Sequence, residues 1–129
     1  MHFLECYALN CGLKIDFPFI EEEVCDLPEG DFITFHGTHD FVSKTYDHWQ
    51  DVIDTVKASH PNLKIAQLGS EASGQRYSNV EGYIGRTNFN QSAYLIKKAK
   101  LHFGIDSFPA HVASCFQTPS TIVYSHTYK

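Results

Sequence analysis

The segment of residues 101–124 constrains the fold more than any other part of the sequence. It runs LHFGIDSFPAHVASCFQTPSTIVY: a short apolar run, a polar turn, a helix-compatible stretch and a β-branched run. Asp106 and Ser107 are residue types that cap helix N-termini. Pro109 suits the first turn of a helix that follows them, and Pro119 suits its end. Leu101–Ile105 and Ser120–Tyr124 are therefore predicted strands, which a right-handed crossover makes parallel.

The rest of the chain repeats this alternation of strand and helix. Apolar residues at i, i+3, i+4 and i+7, beginning at Trp49, predict an amphipathic helix over Asp47–Ser59. The other predicted elements are strands at Asp31–Phe35, Leu63–Leu68 and Val80–Gly85, and a helix capped by Asn88 or Asn90 that runs to about Lys100. This order predicts an α/β fold with a Rossmann-like, doubly wound parallel sheet.

The first 30 residues have a different character. Residues 2–11 place apolar side chains at helical spacing and Gly12 follows as a C-cap, so we predict an amphipathic helix. Its simplest structural role is to cover an edge or face of the sheet. Residues 13–30 contain prolines and the acidic run Glu21–Glu23, which is typical of an extended, solvated connection. We therefore divide the chain into an N-terminal helix and linker, 1–30, and one Rossmann-like domain, 31–129.

Charge and composition exclude several classes of protein. The formal net charge of −5 argues against a general nucleic-acid binder, which needs a basic face. The four cysteines form no CxxC pair, and the N-terminus does not resemble a signal peptide, so we expect reduced thiols in a cytoplasmic protein. The apolar runs are too short to span a bilayer, so no membrane span is expected.

Residues with binding chemistry follow the predicted strands, at what would be the carboxyl edge of the sheet. This edge is where α/β folds bind ligands, and a helix N-terminus there favours phosphate. Hydroxyl, N–H and cationic groups suit a nucleotide diphosphate, and an acidic residue suits the ribose hydroxyls. The candidate site residues are Gly37, Thr38 and Lys44, then Gly69 and Glu71, then Asp106, Ser107 and His111.

Four of these residues also have a structural interpretation. Asp106 and Ser107 would be simple helix caps, His111 an interior histidine and Lys44 a surface lysine. His36 and His39 form an HxxH pair of the kind that can contact a metal, but no third ligand is in sequence reach, so no metal site is predicted.

Four segments carry a resemblance to a known family. Ile105–Ser114 followed by Thr118-Pro119 resembles the pattern Asp-(Ser/Thr)-Gly-(Pro/Leu)-X-His-Leu-Ala of the family 9 glycosyltransferases, the heptosyltransferase-like group. Upstream, the similar segments are Phe35–His39 with Lys44 and His48-Trp49, Ile65–Glu71, and Gly82–Thr87 with the helix after it. The resemblance covers roughly residues 30–125. In the resembling family, a helix like the one predicted at residues 2–11 leads out of the N-terminal domain into the linker.

The resemblance implies one lobe of a GT-B glycosyltransferase, the C-terminal domain that binds a nucleotide-diphosphate sugar. Such enzymes stabilise the departing diphosphate by hydrogen bonds and charge, with no bound metal or other cofactor. Lys44 matches the position that supplies positive charge to the phosphates, and Glu71 matches one near the nucleoside. The remaining matches around the phosphates are Thr38, Asp106, Ser107 and His111.

Two departures from the family pattern keep other hypotheses open. Phe108 stands where the family has Gly, and its side chain would obstruct the close approach of phosphate to backbone. The sequence also lacks the family's acceptor-binding N-terminal domain, so transfer is expected only with a second domain or chain. The alternatives are a degenerate, non-catalytic structural or interaction module, and another small nucleotide- or sugar-binding Rossmann-like protein.

Overall fold

A computed structural model describes residues 3–39, 42–73 and 75–124. Its helices are α1 (Phe3–Asn10), α2 (Trp49–Ser59), α3 (Phe89–Lys98) and α4 (Phe108–Cys115), with short 3-10 turns at Val42–Lys44 and Glu71–Ser73. Its strands are β1 (Phe32–His36), β2 (Lys64–Gln67), β3 (Glu81–Gly82), β4 (His102–Ile105) and β5 (Ser120–Val123). Within these ranges, no helix has the length and apolarity that crossing a membrane requires.

The five strands form one parallel sheet in the order β3-β2-β1-β4-β5. The central strand β1 pairs with β2, where Phe32 lies opposite Lys64, and with β4, where Thr34 lies opposite His102. From β1 the chain moves outward to β2 and β3, then crosses back to β4 and β5 on the other side. The predicted doubly wound α/β fold is confirmed, and its topological switch point lies between β1 and β4.

A separate apolar core covers each face of the sheet. Alternate residues of β1 point to opposite faces, so Phe32 packs against α3 and α4, whereas Ile33 and Phe35 pack against α2. On the α2 face, Trp49 and Ile53 are fully buried, as their helical spacing predicted. Burial of an apolar side chain of this size stabilises the fold by about 1.5–3 kcal/mol. These two cores fix the positions of the helix N-termini at the carboxyl edge.

The two helices on one face begin differently. Asn88 caps α3 through a capping box, in which its side chain accepts from the Gln91 N–H and the Gln91 side chain accepts from the Asn88 N–H. Ser107 is the N-cap residue of α4, but its side chain makes no capping hydrogen bond. Ser107 thus occupies the predicted N-cap position, but the expectation that its side chain caps the helix is wrong, because its hydroxyl contacts His36 of β1 instead.

The prediction that the N-terminal helix covers the sheet is also wrong. No residue of α1 is buried, and Phe3, Tyr7 and Leu9 are each more than half exposed. The helix ends at Asn10, and Gly12, the predicted C-cap glycine, follows it with a φ of +68°. Helical spacing indicates that one face is apolar, but it does not indicate what covers that face.

The acidic run of the linker is more than a solvated surface. Glu22 forms an ion pair with Lys97 at 2.7 Å, and the Glu23 carboxylate accepts hydrogen bonds from the side chains of Asn88 (2.8 Å) and Gln91 (3.1 Å). The Glu23 N–H also donates to the Asn90 carbonyl at 3.1 Å. These contacts hold the linker against the N-terminal turn of α3 and stabilise that turn.

Asn88→Ala is expected to lower the free energy of unfolding by about 1–2 kcal/mol, because it removes both the helix cap and a hydrogen bond to Glu23. Urea denaturation followed by circular dichroism measures this change. Asn62→Ala, in an exposed turn, is the control and should change stability by less than about 0.5 kcal/mol. Equal stability of the two variants would show that the cap contributes nothing measurable.

Candidate functional site

A cavity of about 630 Å³ opens at the carboxyl edge of the sheet. This volume is within the range of small-molecule binding sites. The cavity lies beside the topological switch point, where open α/β sheets bind ligands. Its walls come from the ends of β1, β2 and β4 and from the first turns of α3 and α4, and the lining residues are His36, Thr38, His39, Leu68, Gly69, Ser70, Thr87, Asn88, Phe89, Ser92, Ser107, Phe108 and Pro109.

Three of the eight predicted site residues line this cavity: Thr38, Gly69 and Ser107. Thr38 is only 9% exposed, and its Oγ1 has no hydrogen-bond partner among the described residues. A buried hydroxyl without a partner costs about 1–3 kcal/mol, which a ligand that bonds to it would recover. Thr38 is therefore a strong candidate contact for a polar ligand.

The Ser107 hydroxyl links the ends of two strands, because it contacts Ile105 at the end of β4 and His36 at the end of β1. Its Oγ lies 2.9 Å from Nδ1 of His36 and donates to the Ile105 carbonyl at 3.3 Å. When the Oγ hydrogen is directed to Ile105, Oγ can accept from Nδ1–H, and in that tautomer the other ring nitrogen of His36, Nε2, is an acceptor. Burial, and secondarily the charge of His39, lowers the pKa of His36 to about 4. At neutral pH, His36 brings a hydrogen-bonding group to the cavity but no positive charge.

The first turn of α4 offers fewer N–H groups than the sequence suggested. Pro109 has no N–H, and the Ala110 N–H donates to the Ser107 carbonyl at 3.0 Å. An anion at this helix N-terminus would therefore depend on side-chain hydroxyls and a nearby cation more than on backbone donors.

Lys44, Asp106 and His111 form a charged cluster next to Ser107. Nζ of Lys44 donates to the Asp106 backbone carbonyl at 3.1 Å and lies 3.9 Å from its carboxylate. Nε2 of His111 is 4.0 Å from the other carboxylate oxygen, and the His111 side chain is 79% exposed. The structure thus brings these three predicted residues together, but beside the cavity rather than in its lining, and His111 is not an interior histidine.

Gly37 and Glu71, the other two predicted residues, are not among the lining residues, although each is next to one in the chain. Gly37 is packed so closely that an added Cβ would lie 2.3 Å from the ring of Phe35 and 2.9 Å from that of Trp49. It allows the chain to turn over the α2 core just before Thr38. Glu71 is exposed and lies against Gly85, where an added Cβ would be 2.2 Å from Cγ of Glu71. A role for Glu71 at a ribose stays a prediction.

The sequence did not predict the wall of the cavity formed at the start of α3, because none of its residues was among the candidate site residues. This part of the lining consists of Thr87, Asn88, Phe89 and Ser92. The hydroxyl groups of Thr87 and Ser92 form a hydrogen bond of 2.9 Å. The signal for this wall was present, because the predicted helix cap at Asn88 marks a second helix N-terminus at the same edge of the sheet. The described residues contain no group of three His, Cys, Asp or Glu side chains that could hold a metal.

One known protein family matches most of this chain. The profile described as glycosyltransferase family 9 (heptosyltransferase) matches residues 12–129. The chain belongs to this family. The resemblance carried by the sequence segments is thereby confirmed. A comparison with curated protein sequences finds no match for this family 9 chain.

Solved structures share the fold at low sequence identity. A family 9 glycosyltransferase from Veillonella parvula DSM 2008 has a TM-score of 0.61 and 14% identity over 76% of this chain. The dodecameric iron-containing heptosyltransferase TibC, in complex with ADP-D-beta-D-heptose, has a TM-score of 0.64 and 15% identity over 81% of it. TibC from enterotoxigenic E. coli H10407 has a TM-score of 0.65 and 14% identity over 80%.

The family 9 chain corresponds to only 31%, 29% and 30% of these three proteins, respectively. The likeness confirms the Rossmann-like fold, as found in one lobe of a GT-B glycosyltransferase. Each solved protein is therefore more than three times as long as the region that aligns with this chain.

Proposed function

We propose that this chain is the donor lobe of a family 9 glycosyltransferase and binds a nucleotide-diphosphate sugar in the cavity at the switch point. The observation that carries the proposal is the Oγ1 of Thr38, which is buried and has no partner among the described residues. It belongs to the lining of a cavity that the N-terminal turns of α3 and α4 also line. Hydroxyl donors and the positive end of a helix dipole suit a diphosphate. The acceptor side of the reaction would come from a second domain or chain.

Lys44 is proposed to supply the positive charge. Its ammonium is held by the Asp106 carbonyl, and its distance of 3.9 Å from the carboxylate makes that ion pair weak. The long side chain of Lys44 is 24% exposed, and on moving toward a bound phosphate it would exchange its hydrogen bond to the Asp106 carbonyl for an ion pair. There it would stabilise the negative charge that develops on the departing diphosphate during glycosyl transfer. His36, neutral at pH 7, would accept a hydrogen bond from a ligand hydroxyl.

Calorimetric titration tests the proposed site. ADP, UDP, GDP and their sugar derivatives would be titrated into the purified chain; ADP is included because TibC is in complex with ADP-D-beta-D-heptose. Thr38→Val and Lys44→Met are each expected to weaken binding of the preferred nucleotide by about tenfold or more, since each removes a hydrogen bond to a charged group.

Matched controls separate loss of the ligand contact from general effects. Thr121→Val, on the exposed edge strand, and Lys98→Met, on the surface of α3, should leave the affinity unchanged. Failure of every nucleotide to bind a folded sample would contradict the proposal and favour the non-catalytic module. Binding that Thr38→Val and Lys44→Met leave intact would place the nucleotide outside this cavity.

A further inference from the structure

Two phenylalanine rings from different helices stand together on one wall of the cavity. Phe89 is the first residue of α3 and Phe108 the first residue of α4, and both line the cavity. Their ring centroids are 5.0 Å apart with an interplanar angle of 68°, which is an edge-to-face contact. We call this pair the aromatic wall. No pattern in the sequence predicted the contact between these two residues.

The backbone that carries the aromatic wall is fixed at both helix starts, and the two rings are left uncovered. The capping box at Asn88 and the Glu23 carboxylate fix the start of α3, and buried Pro109 fixes the start of α4. Phe89 is nevertheless 72% exposed and Phe108 37% exposed. Aromatic surface that faces a cavity can bind a flat ligand at low cost in side-chain entropy, because an aromatic side chain has only two torsions to order.

The cavity also has a polar side. The hydroxyls of Thr38 and Ser107 and the imidazole of His36 lie at the ends of β1 and β4. A ligand that matches both sides needs a planar ring at one end and hydroxyl or phosphate groups at the other. A nucleoside diphosphate has this distribution, with a base that can stack on an aromatic side chain for about 1–3 kcal/mol.

We infer that Phe89 and Phe108 contact the base of the bound nucleotide and set the specificity of the site for it. This inference rests on the proposed function, because it names the residues that contact one part of the ligand proposed for the same cavity. Phe108 stands where the family pattern has Gly, so this contact is a property of this chain. The ring that would obstruct a phosphate at that position instead provides, with Phe89, a surface for the base.

The test compares ligands with and without a base. ADP, UDP, GDP, pyrophosphate and ribose 5-phosphate would be titrated into the unmodified chain and into Phe89→Leu, Phe108→Leu and Phe108→Gly. Leu keeps an apolar side chain but removes the aromatic face. Each Leu variant is expected to weaken the preferred nucleotide about fivefold to a hundredfold and to leave pyrophosphate and ribose 5-phosphate unchanged. Phe17→Leu, 82% exposed and outside the cavity lining, is the matched control.

The outcomes separate this inference from the proposed function. Nucleotide binding that the Leu variants leave unchanged, or that Phe108→Gly strengthens, would overturn the aromatic contact while the donor site stands. An equal loss for pyrophosphate would also overturn it, since the rings would then act on the phosphates or on the shape of the cavity. A folded chain that binds no nucleotide at all would overturn the proposed function, and the inference with it.

Discussion

Gly104→Ala is expected to lower the free energy of unfolding by more than about 3 kcal/mol. Gly104 is buried in β4 opposite His36 of β1, with a φ of +155°. A Cβ at this position would lie 2.1 Å from the carbonyl oxygen of His36 and 3.0 Å from its carbonyl carbon. Both atoms belong to the backbone and cannot rotate away, so the two strands would have to separate at the switch point.

Urea denaturation of the Ala variant measures the loss, and a second glycine in the same sheet provides the control. In Gly82→Ala, on β3, the added Cβ meets only Nη1 of Arg76, at 3.8 Å, which is an ordinary contact. This variant should remain within about 1 kcal/mol of the unmodified chain. Near-normal stability of Gly104→Ala would mean that β1 and β4 can move apart at little cost, and the cavity could then not be rigid.

The sheet was predictable because its signals are local. Apolar runs, apolar residues at helical spacing and cap residues each lie within a few positions of the element they define. Thus the helix predicted at Asp47–Ser59 is found at Trp49–Ser59, and the strand predicted at Leu63–Leu68 is found at Lys64–Gln67. The third strand is shorter than predicted, at Glu81–Gly82, because only two of its residues pair with β2.

Contacts between distant residues were not predictable in the same way. The local rule for helix caps assigned Ser107 to its own helix, yet the hydroxyl contacts His36, 71 positions away in the chain. Glu23 contacts Asn88 across 65 positions. A local pattern shows which groups need a partner, but only the packed sheet determines which partner is within reach.

The candidate site shows the same limit. The sequence placed Thr38, Gly69 and Ser107 at one edge correctly, because parallel strands end at the same edge. It could not show that Lys44 would be held by Asp106 beside the cavity. Nor could it show that Phe108 would meet Phe89 from another helix, since that contact depends on how α3 and α4 pack on the sheet.

Acidification from pH 7 to pH 5 is expected to destabilise the fold through two histidines. The pKa of His102 is lowered to about 4 by burial and secondarily by the charge of His36, and the pKa of His36 is lowered to about 4 by burial and by His39. In the unfolded chain, a histidine has a pKa of about 6.5. Between these values the unfolded chain binds protons that the folded chain excludes, so stability falls as the pH falls.

The size of this effect is large for a domain of this kind. Each histidine contributes a slope of up to about 1.4 kcal/mol per pH unit, hence roughly 2 kcal/mol between pH 7 and pH 5. Above about pH 7 both are neutral in the folded and the unfolded chain, and their contribution is constant. A total near 4 kcal/mol is a large part of the stability of a typical small domain.

Single variants identify the source of the slope. His102→Gln keeps a group that can bond to Oγ1 of Thr34, which lies 3.0 Å from Nδ1 of His102, and His36→Gln keeps one that can bond to Ser107. Each is expected to reduce the slope of unfolding free energy against pH by about half, whatever its effect on stability at pH 7. His60→Gln, exposed at the end of α2, should leave the slope unchanged. If neither buried variant alters the slope, both histidines accept protons in the folded state, and His36 would then bring positive charge to the cavity.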